Sequence, residues 1–221
     1  AENTLVVFAS DNGGLAYPED GRRPDNTSNL PLRGQKGSEF DGGLRVPYIF
    51  CWPGKIPAGT VCHEVISGVD LYPTFLALAG AAKPSHTLDG TDLTPVLIDS
   101  HRQLPSRELF WYLPSYSSFH RPSVVARRGD WKLIHLFETG ESELYHTDKD
   151  IGETRNVAAE HPEVVDISGL DAALAQVFHK GLHVFGALVH ISHQVVPVCH
   201  AFQVPEFADW AKAIADVMLF E

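Results

Sequence analysis

The chain has few basic residues, few cysteines and no long apolar run. It contains 17 Lys or Arg against 28 Asp or Glu, which gives a net charge of −11 at pH 7. This acidic balance, without a Lys/Arg-rich block, argues against nucleic-acid binding. No run of about eighteen apolar residues is present, so no membrane span is predicted. The three cysteines lack metal-type spacing and do not indicate a disulfide scaffold.

The 221 residues, 44% of them hydrophobic, are enough to bury a core in one domain, or in one domain with a small appendage. The first ten residues lack the basic segment of a signal peptide. Thr4–Ala9 has the length and β-branched content of a buried strand. Because the chain would then open inside a core strand, we expect the natural protein to begin upstream of Ala1.

The first half of the chain alternates predicted strands and helices. Leu44–Phe50 reads as a strand that ends at a Pro/Gly turn, and Val61–Ile66 as a second one. Asp70 is placed as the N-cap of a helix over Leu71–Ala79, and Gly80 as its C′ residue. We therefore expect residues 1–104 to be part of an α/β domain.

The sequence of the second half of the chain predicts a small antiparallel sheet over residues 105–165. Gly-containing turns separate its short aromatic and β-branched runs, which is typical of hairpins. A helix is expected to begin within Glu160–Val165. The four predicted strands are Glu108–Leu113, Pro122–Arg128, Trp131–Phe137 and Ser142–Thr147.

Residues 166–221 form an unassigned tail that is rich in histidine. His179 and His183 would share a helix face, which is one way to build a metal site. Without an HExxH-type pattern or acidic partners at ligand spacing, a His-rich helical tail or sequence foreign to the parent fold is the favoured interpretation. The tail's histidines are His179, His183, His190, His193 and His200.

Two polar segments near the N-terminus carry possible chemistry. Asp11 and Asn12 follow the first predicted strand, and their oxygens suit Ca²⁺ or Mg²⁺, although Asp-Asn-Gly-Gly is also a strong turn sequence. Lys36 lies in the glycine-rich segment LRGQKGSEFDGGLRVP, where an ammonium could bind an anionic oxygen or could simply be a solvated surface charge. Together they suggest a hydrolase for an anionic ester.

The chain contains six characteristic sequence blocks, in the order FASDNGG, PLRGQKGSEFDGGLRVPYIFCWPGKIPAG, SGVDLYPTFLALAG, LDGTDLTPVL, RRGDWKLI and ELYHTDKDIGETRNVA. Through these ordered blocks, from about Asn3 to Val165, the chain resembles the carboxyl-terminal half of type I sulfatases. The resemblance implies an alkaline-phosphatase-like α/β fold, with a mixed sheet flanked by helices and a small C-terminal antiparallel sheet with a helix.

The resemblance also implies roles for individual residues. Asp11 and Asn12 stand at the positions of Ca²⁺ ligands, Ca²⁺ being preferred over Mg²⁺, and Lys36 at the lysine that contacts the sulfate group. Arg45 matches an arginine expected to orient the loop. A sulfated small molecule or carbohydrate is the implied substrate, and periplasm, secretion or lysosome the implied location.

The family's nucleophile is a formylglycine made within a Cys/Ser-x-Pro-Ser-Arg segment. The chain contains no such segment. Cys51, in Cys-Trp-Pro-Gly-Lys, is read as a buried strand cysteine instead. We therefore expect the formylglycine segment upstream of Ala1 and the isolated chain to be inactive.

Two alternatives stay open at this point: a phosphate or phosphonate ester hydrolase of the same superfamily, and a truncated sulfatase-like protein without catalysis. Five residues in predicted loops are possible lining residues of a substrate pocket. These are Tyr17, Tyr112, Tyr116, His120 and Arg121.

Overall fold

The computed structural model of the protein describes residues 2–16, 27–113 and 120–165. Three features named in the sequence analysis lie outside the described residues: Tyr17, Tyr116 and the histidine-rich tail. The metal site and the helix considered for that tail therefore lie outside them as well. Within those residues, no helix combines the length and apolar character needed to cross a membrane.

The first two strands form an antiparallel pair. β1 (Val6–Ala9) pairs with β2 (Tyr48–Cys51), so that Val6 is opposite Cys51. The prediction of a buried first strand was wrong, because 48% of Val6 and 41% of Phe8 are exposed. The reason is that, in the described part of the chain, β1 has β2 as its only sheet neighbour.

Two strand predictions differ from the structure. The strand expected over Leu44–Phe50 starts later, because the glycine-rich segment first forms a helical turn, α1 (Asp41–Leu44), in which Arg45 N–H donates to the Asp41 carbonyl at 2.8 Å. Val61–Ile66 has no regular structure. Its polar groups instead contact a distant segment, since the Glu64 carboxylate accepts from Leu104 N–H at 3.1 Å.

The helical layer centres on Asp70, which is fully buried. A 3₁₀ turn (Gly68–Asp70) leads into α2 (Leu71–Leu78), and Gly80 follows at φ +64°, which confirms the predicted helix and its C′ glycine. Asp70 occupies the predicted N-cap position, but its side chain makes no capping hydrogen bond to α2. Its carboxylate accepts from Ser67 N–H, Thr91 N–H and both Arg107 nitrogens, and none of these donors belongs to α2. The short helix α3 (Thr94–Ile98) packs beside α2.

The predicted four-stranded antiparallel sheet is confirmed, with strands in the order β3-β4-β5-β6. Gly129 and Gly140, both at positive φ, lie in the two tight turns that the sequence indicated. The predicted terminal helix is the single turn α4 (Pro162–Val165). The strands are β3 (Glu108–Leu113), β4 (Ser123–Arg128), β5 (Trp131–Leu136) and β6 (Ser142–His146).

The two faces of this sheet contact different segments. On one face, Val125, Ile134 and Tyr145 pack against Phe40 and Leu44 of the glycine-rich segment. On the opposite face, a second cluster is covered by the segment that ends in α4. The members of that cluster are Ala126, Leu133 and Leu144, with Val157, Ala158, Val164 and Val165 packed on them. The glycine-rich segment is therefore held on the surface of the small sheet.

Candidate functional site

The two segments that carry the predicted site residues meet through their backbones. Gly13 N–H donates to the Gly43 carbonyl at 3.0 Å, and Lys36 N–H donates to the Gly14 carbonyl at 3.1 Å. These bonds bracket the turn that follows Asp11 and Asn12. The structure therefore joins the turn after β1 to the loop that carries Lys36.

Asn29 links the two segments a second time, and the sequence analysis did not identify it. Its Oδ1 accepts from Gly14 N–H at 3.0 Å, and its Nδ2 donates to the carbonyls of Gly14 at 2.7 Å and Gly34 at 3.2 Å. One amide side chain thus satisfies backbone groups on both sides of the contact. An asparagine in a long Gly/Asn/Asp-rich loop was the available signal, but that composition also describes an ordinary turn.

Glycine is required where the two segments touch. A Cβ on Gly13 would lie 1.7 Å from the Gly42 carbonyl oxygen, and one on Gly42 would lie 2.3 Å from the Gly34 carbonyl oxygen. Gly34 and Gly37, on either side of Lys36, have φ of +84° and +83°. Only glycine adopts such a backbone without strain. The glycines therefore permit both the close approach and the tight loop around Lys36.

The side chains that would carry the chemistry remain accessible. Lys36 and Asp11 are exposed, and Asn12 is half-buried. The backbone carbonyl of Asn12 accepts a hydrogen bond from Ser10 Oγ at 2.7 Å, which holds this residue in place. The exposed Lys36 ammonium is suited to an anionic ligand, and the oxygens of Asp11 and Asn12 are suited to a cation.

Asp11 and Asn12 provide part of the oxygen set that Ca²⁺ requires. A carboxylate and an amide oxygen are suitable hard ligands, but Ca²⁺ takes about six to eight oxygens. In the described ranges no group of three or more His, Cys, Asp or Glu side chains is arranged to hold a metal ion. Two oxygens alone are too few for Ca²⁺, so the role of Asp11 and Asn12 as ligands stays a prediction that requires further donors.

A buried ion cluster joins the glycine-rich segment to the small sheet. Lys132 Nζ lies 2.7 Å from Asp41 Oδ1 and 2.6 Å from Glu153 Oε1, and Arg127 lies 3.3 Å from the other Asp41 oxygen. Glu153 Oε2 also accepts from Asp41 N–H at 2.7 Å. Burial raises the pKa of Glu153, and the Lys132 ammonium opposes that rise. This buried ion cluster was not identified from the sequence.

Arg33 holds the other end of the same segment. Its guanidinium lies 3.7 Å from the centre of the Phe40 ring and donates to the Glu153 carbonyl at 2.8 Å and to Tyr145 Oη at 3.3 Å. Tyr145 Oη donates to Glu143 at 2.8 Å. Burial and then the Glu143 carboxylate raise the pKa of Tyr145 to about 12. Tyr145 is therefore a neutral hydrogen-bond donor at physiological pH.

The remaining sequence candidates lie at different distances from this contact. His120 Nδ1 donates to the Gly37 carbonyl at 2.7 Å, next to Lys36, whereas Tyr112 contacts the Phe137 ring at 5.8 Å between centres. Arg121 pairs with Glu143 at 3.1 Å. The pocket-lining role of these residues stays a prediction.

Two further residues from the sequence analysis can be placed. Cys51 lies at the end of β2, as predicted for a strand cysteine, but it is half-buried and not buried. The Arg45 side chain is exposed, and its loop-orienting role also stays a prediction. Arg33 and Asp41 make the side-chain contacts that hold this segment to the sheet.

Comparisons with known proteins identify the family of the chain. A family model described as "N-sulphoglucosamine sulphohydrolase, C-terminal" matches residues 35–179, more than half of the chain. A sulfatase of Formosa agariphila is 38% identical over 73% of the chain and 30% of its own length. Human arylsulfatase A is 38% identical over 74% of the chain and 36% of its own length. The chain thus spans about a third of the length of these relatives.

Solved structures show the same relationship. Ps i-CgsB, in complex with k-i-k-neocarrahexaose, is 33% identical with a TM-score of 0.58, over 74% of the chain and 34% of that structure. BT4656, in complex with its substrate D-glucosamine-2-N,6-O-disulfate, is 25% identical with a TM-score of 0.55, over 76% and 34%. The PsFucS1 sulfatase from Pseudoalteromonas sp., 24% identical, shares the fold with a TM-score of 0.63, over 81% and 38%. The chain belongs to the type I sulfatase family and corresponds to the carboxyl-terminal portion of its members.

Proposed function

We propose that the protein to which this chain belongs hydrolyses sulfate esters, and that Asp11, Asn12 and Lys36 are part of its active site. The observation that carries the proposal is the pair of backbone hydrogen bonds that join the turn after Asp11 and Asn12 to the Lys36 loop. Family membership supplies the chemical class. Sulfated carbohydrates are the proposed substrates, as BT4656 is in complex with such a substrate.

Lys36 is the proposed anion-binding residue. Its ammonium is a compact charge with three donors, it is exposed, and the loop around it is held by the Lys36 N–H to Gly14 carbonyl hydrogen bond. A charge held rigidly beside the sulfate oxygens stabilises the negative charge that develops as the S–O bond breaks. Lys36 is therefore proposed to bind the substrate and to stabilise the transition state.

Asp11 and Asn12 are proposed as two of the oxygen ligands of Ca²⁺. When bound, the ion would neutralise charge on the sulfate oxygens. The remaining donors, and the formylglycine nucleophile, are proposed to come from a segment that the 221 residues do not include. The isolated chain is accordingly proposed to be inactive.

The test compares an aryl sulfate with the matching aryl phosphate, using the protein expressed from its complete gene. We expect turnover of the sulfate, and a loss of it in Lys36→Ala. A preference for the phosphate would favour the phosphate-ester alternative. Turnover of neither ester, together with the absence of formylglycine by mass spectrometry, would favour the non-catalytic alternative.

The same assay applied to residues 1–221 tests the proposed division of the active site. We expect no turnover of the aryl sulfate by this chain alone. Turnover that persists after purification would show that the chain contains its own nucleophile.

A further inference from the structure

We propose that Lys132 is a positioning residue for the active site, acting through Asp41 on the loop that carries Lys36. The proposal rests on the proposed function, because it concerns the geometry of the same site. Lys132 lies in β5 and is not one of the residues proposed above to contact the substrate or the metal ion.

The surroundings of Lys132 hold its side chain in one position. Only 1% of its surface is exposed, and its ammonium lies between the carboxylates of Asp41 at 2.7 Å and Glu153 at 2.6 Å. A buried ion pair contributes little net stability, since the desolvation of its charges offsets their attraction. Such a pair instead supplies a defined position for the segment that carries the partner charge. Here the partner charge is that of Asp41, which lies in the glycine-rich segment.

A short chain of contacts leads from Asp41 to the site. Asp41 begins α1, and the next residue, Gly42, donates from its N–H to the Arg33 carbonyl at 2.7 Å. The carbonyl of Gly43 accepts from Gly13 N–H at 3.0 Å, which holds the turn after Asp11. A displacement of Asp41 therefore moves both ends of the Lys36 loop and the turn after β1 with it.

Glu153 adds an independent sign that this cluster has a specific use. It is fully buried and has a φ of +49°, a backbone region in which a non-glycine residue is uncommon. Glycine would suit that backbone better, so the side chain and not the turn accounts for glutamate here. Its two oxygens contact Lys132 Nζ and Asp41 N–H. Strained buried residues of this kind occur where the surroundings hold a functional geometry.

The experiment compares three variants in the protein expressed from its complete gene. Lys132→Met removes the charge and keeps a similar length, and Lys132→Arg keeps the charge. Leu133→Ala is the matched control. Leu133 is the next residue of β5 and is buried on the opposite face, so its truncation destabilises the same sheet without contacting the Lys36 loop.

Two readouts are used. The first is amide hydrogen exchange of Gly13, Lys36, Gly42 and Gly43, whose N–H groups make the bonds that hold the site. The second is kcat for an aryl sulfate, normalised to the folded fraction. For Lys132→Met we expect faster exchange at these amides and a fall in kcat on the order of 100-fold, as expected for a displaced catalytic group. We expect Lys132→Arg to recover most of both.

Leu133→Ala distinguishes positioning from general stabilisation. We expect it to lower the melting temperature while leaving both the normalised kcat and the exchange of the four amides near wild-type values under native conditions. If Leu133→Ala and Lys132→Met change the two readouts equally, the buried ion cluster only stabilises the sheet and the proposal is wrong.

A milder variant keeps the test decisive if Lys132→Met does not fold. Asp41→Asn keeps the size of the side chain and its backbone bonds, and it leaves Lys132 paired with Glu153. We expect the same faster exchange and lower kcat, and unchanged exchange would overturn the proposal. The exchange readout is independent of turnover, so an inactive wild-type protein would contradict the proposed function while leaving this inference supported or refuted by exchange alone.

Discussion

Lys36 and Lys132 show how burial changes the use of one residue type. Lys36 is exposed on a glycine-rich loop, where its charge can contact a ligand. Lys132 is buried between two carboxylates, and its ammonium forms an ion pair with each of them. Lys36 is suited to bind substrate, and Lys132 is suited to hold the loop that carries Lys36.

Replacing Lys36 by alanine should impair catalysis without affecting the fold. Because the side chain is exposed, we expect the free energy of unfolding to change by less than about 0.5 kcal/mol. Loss of a charge that stabilises the transition state should lower kcat/KM by about 100-fold or more. Steady-state kinetics on an aryl sulfate, with exposed Lys55→Ala as the control, would measure this. Wild-type kinetics in Lys36→Ala would remove Lys36 from the site.

Replacing Gly13 by alanine should separate the two site segments. The new Cβ would lie 1.7 Å from the Gly42 carbonyl oxygen, so the backbone must shift. We expect a loss of stability of about 2 kcal/mol, typical of overpacking, measured by urea unfolding. The control is Gly68→Ala, whose Cβ would meet only Tyr48 Oη at 3.5 Å. Equal stabilities for the two variants would contradict the close approach.

At the scale of elements, Asp70 joins three parts of the chain that are distant in sequence. Its carboxylate binds the Arg107 guanidinium just before β3 and Thr91 N–H just before α3, and it lies at the start of α2. Thr74 extends the link, since its hydroxyl donates to the Asp70 carbonyl at 2.6 Å and accepts from Leu93 N–H at 2.9 Å. A single buried side chain thus fixes the arrangement of the helical layer.

This arrangement predicts a pH-dependent stability. Burial raises the pKa of Asp70, but hydrogen bonds from Arg107, Thr91 and Ser67 outweigh it, so the pKa is lowered below 3.8. A carboxyl with a lowered pKa contributes stability that is present above the unfolded-state value and is lost as the pH falls through the folded-state value. Asp70→Asn should therefore cost about 3 kcal/mol at neutral pH, since it leaves Arg107 unpaired. The difference from wild type should shrink below pH 3.8.

Urea unfolding across a pH series would check this prediction. The control is Asp99→Asn, because Asp99 forms an exposed pair with Arg102 at 3.7 Å and should contribute less than about 1 kcal/mol. A difference between wild type and Asp70→Asn that is constant with pH would show that the ionised Asp70 carboxylate does not stabilise the fold.

At the scale of the whole molecule, the proposed metal site predicts that Ca²⁺ stabilises the protein expressed from its complete gene. A ligand that binds only the native state raises stability by about 2.7 kcal/mol at one hundred times its Kd. We expect Ca²⁺ to raise the melting temperature of wild type, EDTA to reverse the rise, and Asp11→Ala to reduce it. Exposed Asp148→Ala is the control. An equal Ca²⁺ response in wild type and Asp11→Ala would exclude Asp11 as a ligand.

The extent of successful prediction follows the range of the interactions. The four strands of the small sheet, α2 and Gly80 were predicted to within one or two residues, because turn glycines and apolar runs are local signals. β1 was correctly placed as a strand but wrongly expected to be buried. Its apolar sequence indicates a preference for the core, whereas burial depends on which other segments pack there.

The sequence by itself determined the family, the local elements and the identity of the proposed chemical groups. These depend on motifs and short-range periodicity, which involve only residues that are close in sequence. The tertiary structure alone decided how Lys36 is held. Asp41 and Lys132 are 91 positions apart, and Asp41 and Glu153 are 112 apart. Their charges resemble ordinary surface charges until folding removes them from water. Only folding brings these charges into contact, and their pairing then gives the loop one defined position on the sheet.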